Sequence, residues 1–452
     1  MTFLRAALAI ALLAAAQALP ATPGLGQADD RPNILLIVTD DQHATGTLTT
    51  MKETRRLFLR DGTMFTSAYA TTPRCCPSRA SIFTGQYAHN HGVRRNSEAE
   101  LLDQSHTLQR YLSEAGYRTA FFGKFLNGWS LLDPPPYFQT FALKNSSRYY
   151  DAVWNVNGLR LSIETYATRY VDSLARRFMA DAELNDDQPW FMVLSTTAPH
   201  APRTVEERYK GSFVSAYDFN PAVREWDRSD KPAYVQAMSS TDDYISIVRK
   251  GQIRTLRSVD DMIESVFDKA RQLDEDRDTL AIFVSDNGLM WGEHGIGGDR
   301  TGKNVPYLDS VKVPLLLRWP GNVAGGPEDM RLAATIDIFP TIMDATGVEP
   351  QHPVDGRSLL GPARTRLLLE NWHDSKPNVP EWASILTSTY HYIEYYEIGD
   401  PRPTLREYYD LTTDPWELVN LLGDGTATND PDVTDLSVEL AADRACAGSG
   451  CP

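Results

Sequence analysis

The sequence predicts an α/β protein, with a mostly parallel central sheet flanked by helices and a smaller antiparallel sheet towards the C-terminus. Three observations carry this expectation. Continuous apolar runs recur along the chain and end in polar or acidic residues. Segments of helical period lie between them. Beyond about residue 366 the runs become short and aromatic and are joined by Gly/Pro turns.

The first 28 residues place Arg5 ahead of a short apolar run and then small residues, the layout of an export signal, with cleavage expected after Ala18 or near Ala28. The run is too short to span a bilayer as a mature helix, so the processed chain is expected to be secreted or periplasmic and free of the membrane. NILLIVTDD (33–41) reads as a buried strand whose C-terminal end opens into two acids, Asp40 and Asp41. That end is where open α/β sheets place ligands. Further strands are expected in TAFFGKF (119–125), FMVLSTT (191–197), TLAIFVSDNG (279–288) and VPLLLRWPG (313–321), with helices over 106–116, about 245–273, and 336–347.

The main α/β unit is therefore placed at 31–360, ending in a Gly/Pro/Arg-rich stretch around 355–365. A second unit over 366–425 takes in ILTSTYHYIEYYE (385–397), REYYDL (406–411) and DPWELVNLL (414–422). The tail, 426–452, is rich in Asp, Thr, Gly and Ala and is expected to be loosely ordered.

Forty-four basic against 60 acidic residues leave a formal charge of −16, which argues against a nucleic-acid partner and requires any anionic substrate to find a locally basic pocket. Of four cysteines, Cys446 and Cys451 in CAGSGC can close a small loop, whereas a bond between the neighbours Cys75 and Cys76 would be strained. One of that pair bonded to a distant cysteine is the structural alternative. His89 and His91, at i, i+2, do not share a helix face, so support of a nearby loop suits them better than a metal.

Three oxygen-rich clusters stand at expected strand ends: Asp40-Asp41, the loop holding Cys75, and Asp286-Asn287. Carboxylate and amide oxygens from several segments suit a hard divalent cation, and adjacent buried carboxylates repel unless a cation lies between them.

In TTPRCCPSRASIFTG (71–85), Pro77 lies two residues and Arg79 four residues beyond Cys75; Cys76 has neither neighbour at that spacing. This C-x-P-S-R pattern resembles the signature of the formylglycine-dependent sulfatases of the alkaline-phosphatase-like superfamily. The resemblance continues in order through GYRTAFFGKFLN (116–127), APHAP (198–202), SVDDMIE (258–264), SDNG, KVPLLLRWPG and YYDLTTDPWELVNLL. It is most similar to the N-acetylglucosamine-6-sulfatases and related heparan 6-O-endosulfatases.

The resemblance implies a sulfatase acting on a sulfated sugar such as N-acetylglucosamine 6-sulfate. Cys75 would be oxidised to formylglycine by a formylglycine-generating enzyme, leaving Cys76 a passenger. An aldehyde hydrate carries two hydroxyls on one carbon: one attacks sulfur, and the other later expels sulfate, a release that serine cannot perform. Asp40, Asp41, Asp286 and Asn287 would hold the metal with an oxygen of the modified Cys75; the mixed ligand set favours Ca²⁺, with Mg²⁺ as the alternative. Arg79 would hold the hydrate, Lys124 and Lys303 would clamp the sulfate, and His200 would protonate the departing alcohol. Many arylsulfatases carry a His two positions after the GK lysine. Here Leu126 stands there, followed by Asn127, which becomes a sugar-contact candidate; His294, in GEHG (292–295), either lines the substrate mouth or caps a loop. The rivals are a phosphomonoester or phosphonate hydrolase on the same fold, and an inactive glycan-binding homologue.

Overall fold

The computed structural model describes residues 30–184, 188–217, 220–298, 302–326, 328–375 and 378–452. The expected signal segment, 1–28, lies outside them. Among the described residues, one large sheet holds β1 (Asn33–Thr39), β2 (Gly62–Tyr69), β3 (Arg118–Gly123), β4 (Thr140–Leu143), β5 (Ala152–Val156), β6 (Leu159–Ile163), β7 (Trp190–Ser195), β8 (Thr279–Ser285), β9 (Leu315–Arg318) and β10 (Asp329–Ala334). Their order is β10-β2-β9-β8-β1-β7-β3-β4-β5-β6. The central strands β8, β1, β7, β3 and β4 are mutually parallel.

Strand β1 shows why the runs were continuously apolar: Ile34, Leu36 and Val38 enter one core layer, while Leu35 and Ile37 enter the other. Helices cover both faces, so every residue of the strand is buried. The helix Asp242–Gln272 lies on one side, with Thr241 accepting the Tyr244 N–H at its start. The helix Cys75–Thr84 lies on the other and is buried along its whole length, closed by Gly85 at φ 68°. A Cβ on Gly85 would come within 2.9 Å of Phe339 and Val354.

The strand expected at 313–321 is β9, but it runs antiparallel to β8. The chain therefore leaves and re-enters the sheet at the same end, the C-terminal end of β8. Sequence patterning missed β2, β4, β5, β6 and β10, whose faces are mixed or, in β6, exposed.

A second, four-stranded antiparallel sheet is formed by β11 (Leu367–Asn371), β14 (Glu381–Leu386), β15 (Tyr390–Tyr396) and β16 (Pro403–Asp410) in the order β11-β14-β15-β16. The short pair β12 (Asp374–Ser375) and β13 (Asn378–Val379) sits in the β11–β14 connection. DPWELVNLL (414–422) forms no strand; Asn420 ties it to the Tyr408 N–H and to Asp230 instead.

The tail is more ordered than its composition predicts. It forms the helix Thr434–Asp443 and a Cys446–Cys451 disulfide. Leu440 is buried in the C-terminal core, Asp443 takes a bidentate pair from Arg366 at 2.8 and 2.9 Å, and Arg364 donates to the Pro452 carbonyl. Such partners are remote in sequence, so a polar tail does not reveal them. Among the described residues no helix is long and apolar enough to cross a membrane.

Candidate active site

The site lies at the C-terminal ends of β1, β3, β7 and β8. In an extended strand Asp40 and Asp41 would point to opposite faces. Asp41 instead adopts φ 63°, a conformation rare for a side chain with a Cβ, and both carboxylates join one cluster. That turn is held by Gln252, whose Nε2 donates to the Asp41 carbonyl at 2.6 Å, and by the Asp41 N–H donating to Asp286 Oδ1 at 3.1 Å.

One ligand atom each from Asp40, Asp41, Cys75 and Asp286 lies within 4.8 Å of the others, and all four residues are buried. Cys75 occupies the first turn of its helix, where Ser78 Oγ donates to the Asp286 carbonyl. Arg74 offers no side-chain cap; Asn96 Oδ1 accepts the Cys76 N–H at 2.9 Å in its place. Cys76 is buried and free, as is Cys75, so neither takes up the distant disulfide.

Three cations meet these three carboxylates. Arg79 Nε donates to Asp286 Oδ2 at 2.8 Å, and its Nη1 donates to the Lys124 carbonyl and Ser195 Oγ at 2.7 and 2.6 Å. Lys124 Nζ reaches Asp40 Oδ2 at 2.5 Å. The glycine before it is a packing requirement: a Cβ on Gly123 would sit 1.8 Å from the Ser195 carbonyl oxygen. Lys303 Nζ donates to both Asp41 oxygens, at 2.6 and 2.8 Å, and to Cys75 Sγ at 3.2 Å. His200 Nδ1 donates to the Ala201 carbonyl at 2.5 Å, which leaves Nε2 facing the cluster, 3.7 Å from Asp41 Oδ2.

The charges are strongly coupled. Burial would raise Asp40, but Lys124, His200, Arg79 and Lys303 hold it well below the usual carboxylate range. Burial works the same way on Asp41, and Lys303 and His200 overcome it. Asp286 is raised, by burial and then by Asp40. Burial pushes the Cys75 thiol up to about 12 against the pull of Lys124 and Lys303. An unmodified thiol here is a poor nucleophile.

Asn287 donates its Nδ2 to Asp41 Oδ1 at 2.8 Å, while its buried Oδ1 has no partner among the described residues. An orphaned amide oxygen beside three carboxylates is the donor set of a hard cation, and the residues present fit one. Asn127 is half-buried beside Cys76, and its Oδ1 is likewise unpartnered among the described residues. His294 corrects the substrate-mouth expectation. It is 2% exposed, pairs through Nδ1 with Glu225 Oε2 at 2.8 Å and packs against Tyr307, the loop-holding alternative. His91 takes the supporting role, with Nε2 3.0 Å from Ser81 Oγ on the Cys75 helix.

Sequence reading missed the residues that hold Lys303 in place. Asn304, at φ 76°, donates its N–H to the Pro73 carbonyl at 3.2 Å, accepts Arg74 Nε on Oδ1 at 2.8 Å and accepts Trp382 Nε1 on its carbonyl at 2.8 Å. The strand β14 thus grips the segment carrying Lys303, which is in turn tied to the residues preceding Cys75. Asn304 is legible at most as an Asn in a left-handed turn; nothing local marks Trp382 or Gln252.

The sulfatase family profile matches residues 32–348, and that of the N-sulphoglucosamine sulphohydrolase C-terminal region matches 292–442. The extracellular sulfatase SULF-1 homolog of Drosophila melanogaster is 32% identical over 369 residues, covering 76% of this chain and 32% of that protein, so the chain spans about a third of its length. Human N-acetylglucosamine-6-sulfatase is 29% identical over 489 residues, covering 95% of this chain and 87% of its own. Among solved structures, a protein in complex with its substrate D-glucosamine-2-N,6-O-disulfate shares the fold at TM-score 0.73 and 22% identity, over 91% of this chain and 96% of that one. The phosphonate monoester hydrolase of Agrobacterium radiobacter also shares it, at 0.68 and 23%, over 91% and 94%, so the fold alone does not separate the two chemistries. With the family profile running through β1, the Cys75 helix, β3, β7 and β8, the chain belongs to the sulfatase family.

Proposed function

We propose that this chain is an exported sulfatase that hydrolyses the sulfate monoester of a sulfated sugar such as N-acetylglucosamine 6-sulfate, after a formylglycine-generating enzyme has converted Cys75. The observation that carries this reading is the position of Cys75 in the first helical turn, buried among Asp40, Asp41 and Asp286 and touched by Lys303. The name of the human relative supports the choice of sugar, and that of the Drosophila relative supports export.

Asp40, Asp41, Asp286 and the Asn287 amide oxygen would hold a divalent cation, Ca²⁺ in preference to Mg²⁺ for its tolerance of mixed oxygen ligands. When formed, a formylglycine hydrate at position 75 would supply the attacking and the sulfate-expelling hydroxyls, and a bound cation would offset the charge that develops. Lys124 and Lys303 would bring compact ammonium groups to the sulfate oxygens, giving an acidic protein a locally positive site. Arg79, fixed by Asp286 and the Lys124 carbonyl, keeps the helix end and the strand ends in register. His200 is a quarter exposed and so can meet a departing alcohol. With Nδ1 committed to the Ala201 carbonyl, the proton it donates is the one on Nε2.

The test is mass spectrometry of the peptide holding Cys75 from protein made together with the maturing enzyme, alongside rates on a sulfated glucosaminide and on phenyl phosphate. An aldehyde at position 75 and faster sulfate release are expected. Cys75→Ala should abolish that release and Cys76→Ala largely spare it. An unmodified thiol in active protein sinks the mechanism, and preference for the phosphate ester replaces the reading with a phosphomonoester hydrolase.

A further inference from the structure

Beside the site, the chain builds a recess that the reaction at Cys75 does not use. Lys144 follows β4 as Lys124 follows β3, and the Lys144 N–H donates to the Gly123 carbonyl at 2.9 Å, so the two strand ends are neighbours. The Lys144 side chain is buried and donates Nζ to the carbonyls of Ser146 and Arg148, the latter at 2.8 Å. This folds the β4–β5 connection into a tight loop in which Lys144 and Tyr149 are buried while Asn145 and Arg148 are exposed. The next residue, Tyr149, donates its hydroxyl to the His200 carbonyl at 2.7 Å, joining the same loop to the site.

Together with Leu131 and Leu132, this loop and the β5–β6 ribbon line an open recess of about 470 Å³ whose polar residues are Asn145, Ser146, Arg148, Asp151 and Arg160. Arg160 lies opposite Asn155 in the ribbon, on the face that also carries Val153. Neither the Arg148 nor the Arg160 guanidinium forms an ion pair among the described residues. Ser146 Oγ is buried there without a hydrogen-bond partner among the described residues. In a chain of net charge −16, two exposed arginines converging on one recess beside a single acid are an uncommon arrangement. Guanidinium groups bind sulfate oxygens in pairs through parallel N–H donors.

We propose that this recess is a second anion subsite, which takes the sulfate of a neighbouring sugar when the substrate is a sulfated oligosaccharide. The inference rests on the sulfatase reading for the adjacent site but not on its chemistry. Arg148 and Arg160 hold the second sulfate, Asn145 and Ser146 supply neutral hydrogen bonds, and Lys144 fixes the loop without touching the ligand.

The test uses the full chain with Cys75→Ala, so that nothing is turned over, and calorimetric binding of a 6-O-sulfated N-acetylglucosamine tetramer at low salt. Adding Arg148→Ala and Arg160→Ala should weaken binding about tenfold or more and flatten its salt dependence, because two charge-assisted contacts are lost. The unsulfated tetramer should bind both proteins equally weakly. In protein with Cys75 intact, the double substitution should lower the ratio of kcat/KM for the sulfated tetramer to that for the monosaccharide sulfate by a similar factor. Equal affinity of the two Cys75→Ala proteins for the sulfated tetramer overturns the subsite. Absence of sulfate release from any substrate would instead overturn the sulfatase reading, and the binding comparison would still decide the subsite.

Discussion

Replacing Trp382 with Phe removes one buried hydrogen bond while keeping most of an aromatic side chain that is 1% exposed. The indole Nε1 donates to the Asn304 carbonyl at 2.8 Å, and Phe has no donor to replace it. An acceptor left unpaired in the interior costs about 1–3 kcal/mol, so the folded state should weaken by that amount and the thermal midpoint should fall by a few degrees. The second effect falls on the neighbouring Lys303, whose Nζ contacts Asp41 and Cys75. A displacement of roughly 1 Å of a reacting group can cost about 100-fold in rate. Asn304 keeps its bonds to Pro73 and Arg74, so the displacement is partial and a loss of about tenfold in kcat is expected, equivalent to about 1.4 kcal/mol of transition-state stabilisation. Initial rates of sulfate release and a thermal melt should be run beside Ile385→Val, a buried deletion in the same strand that costs about 1 kcal/mol without touching Asn304. If Trp382→Phe lowers the midpoint while its kcat equals that of Ile385→Val, the strand does not position Lys303 and the reasoning fails.

Two further outcomes follow from the geometry. Chelation should stop sulfate release and Ca²⁺ should restore it, while Asn287→Leu should weaken Ca²⁺ binding by calorimetry at least tenfold because an amide ligand is lost; full activity in chelator refutes the metal assignment. His89 links the chain after the Cys75 helix to the C-terminal sheet and tail, with Nδ1 3.0 Å from Glu370 and Nε2 3.0 Å from the Cys446 carbonyl. Burial opposes its charge, but Glu370 and that carbonyl raise it above the ordinary 6.5. A raised histidine stabilises the fold fully below its unfolded value and loses that effect as pH climbs through the folded one. The stability gap between wild type and His89→Gln should therefore be widest below about pH 6 and narrow on the alkaline side; a gap that widens with pH contradicts the assignment.

Where chemistry depends on residues close in sequence, the reading from sequence was direct. The spacing of Pro77 and Arg79 singled out Cys75 over Cys76, and the acids ending two apolar runs pointed to Asp40, Asp41, Asp286 and Asn287, which the structure brings around Cys75. The buried parallel strands were legible because both of their faces are apolar. The edge strands were not, since a half-exposed strand such as β6 carries no continuous run. His294 illustrates the opposite limit: a histidine between glycines in a loop has no local feature that distinguishes a substrate contact from a buried partner of Glu225.

The sequence by itself determined the fold class, the family resemblance and the identity of the thiol set among acids and cations. Only the tertiary structure decided how those groups are held. The antiparallel β8–β9 pairing returns the chain carrying Lys303 to the same end of the sheet, Trp382 of the second sheet anchors it through Asn304, and the Lys144 loop joins His200 through Tyr149. Each of these joins residues far apart in the chain through backbone carbonyls and buried donors. Their meeting depends on how strands and loops pack, and no local pattern of residues encodes it.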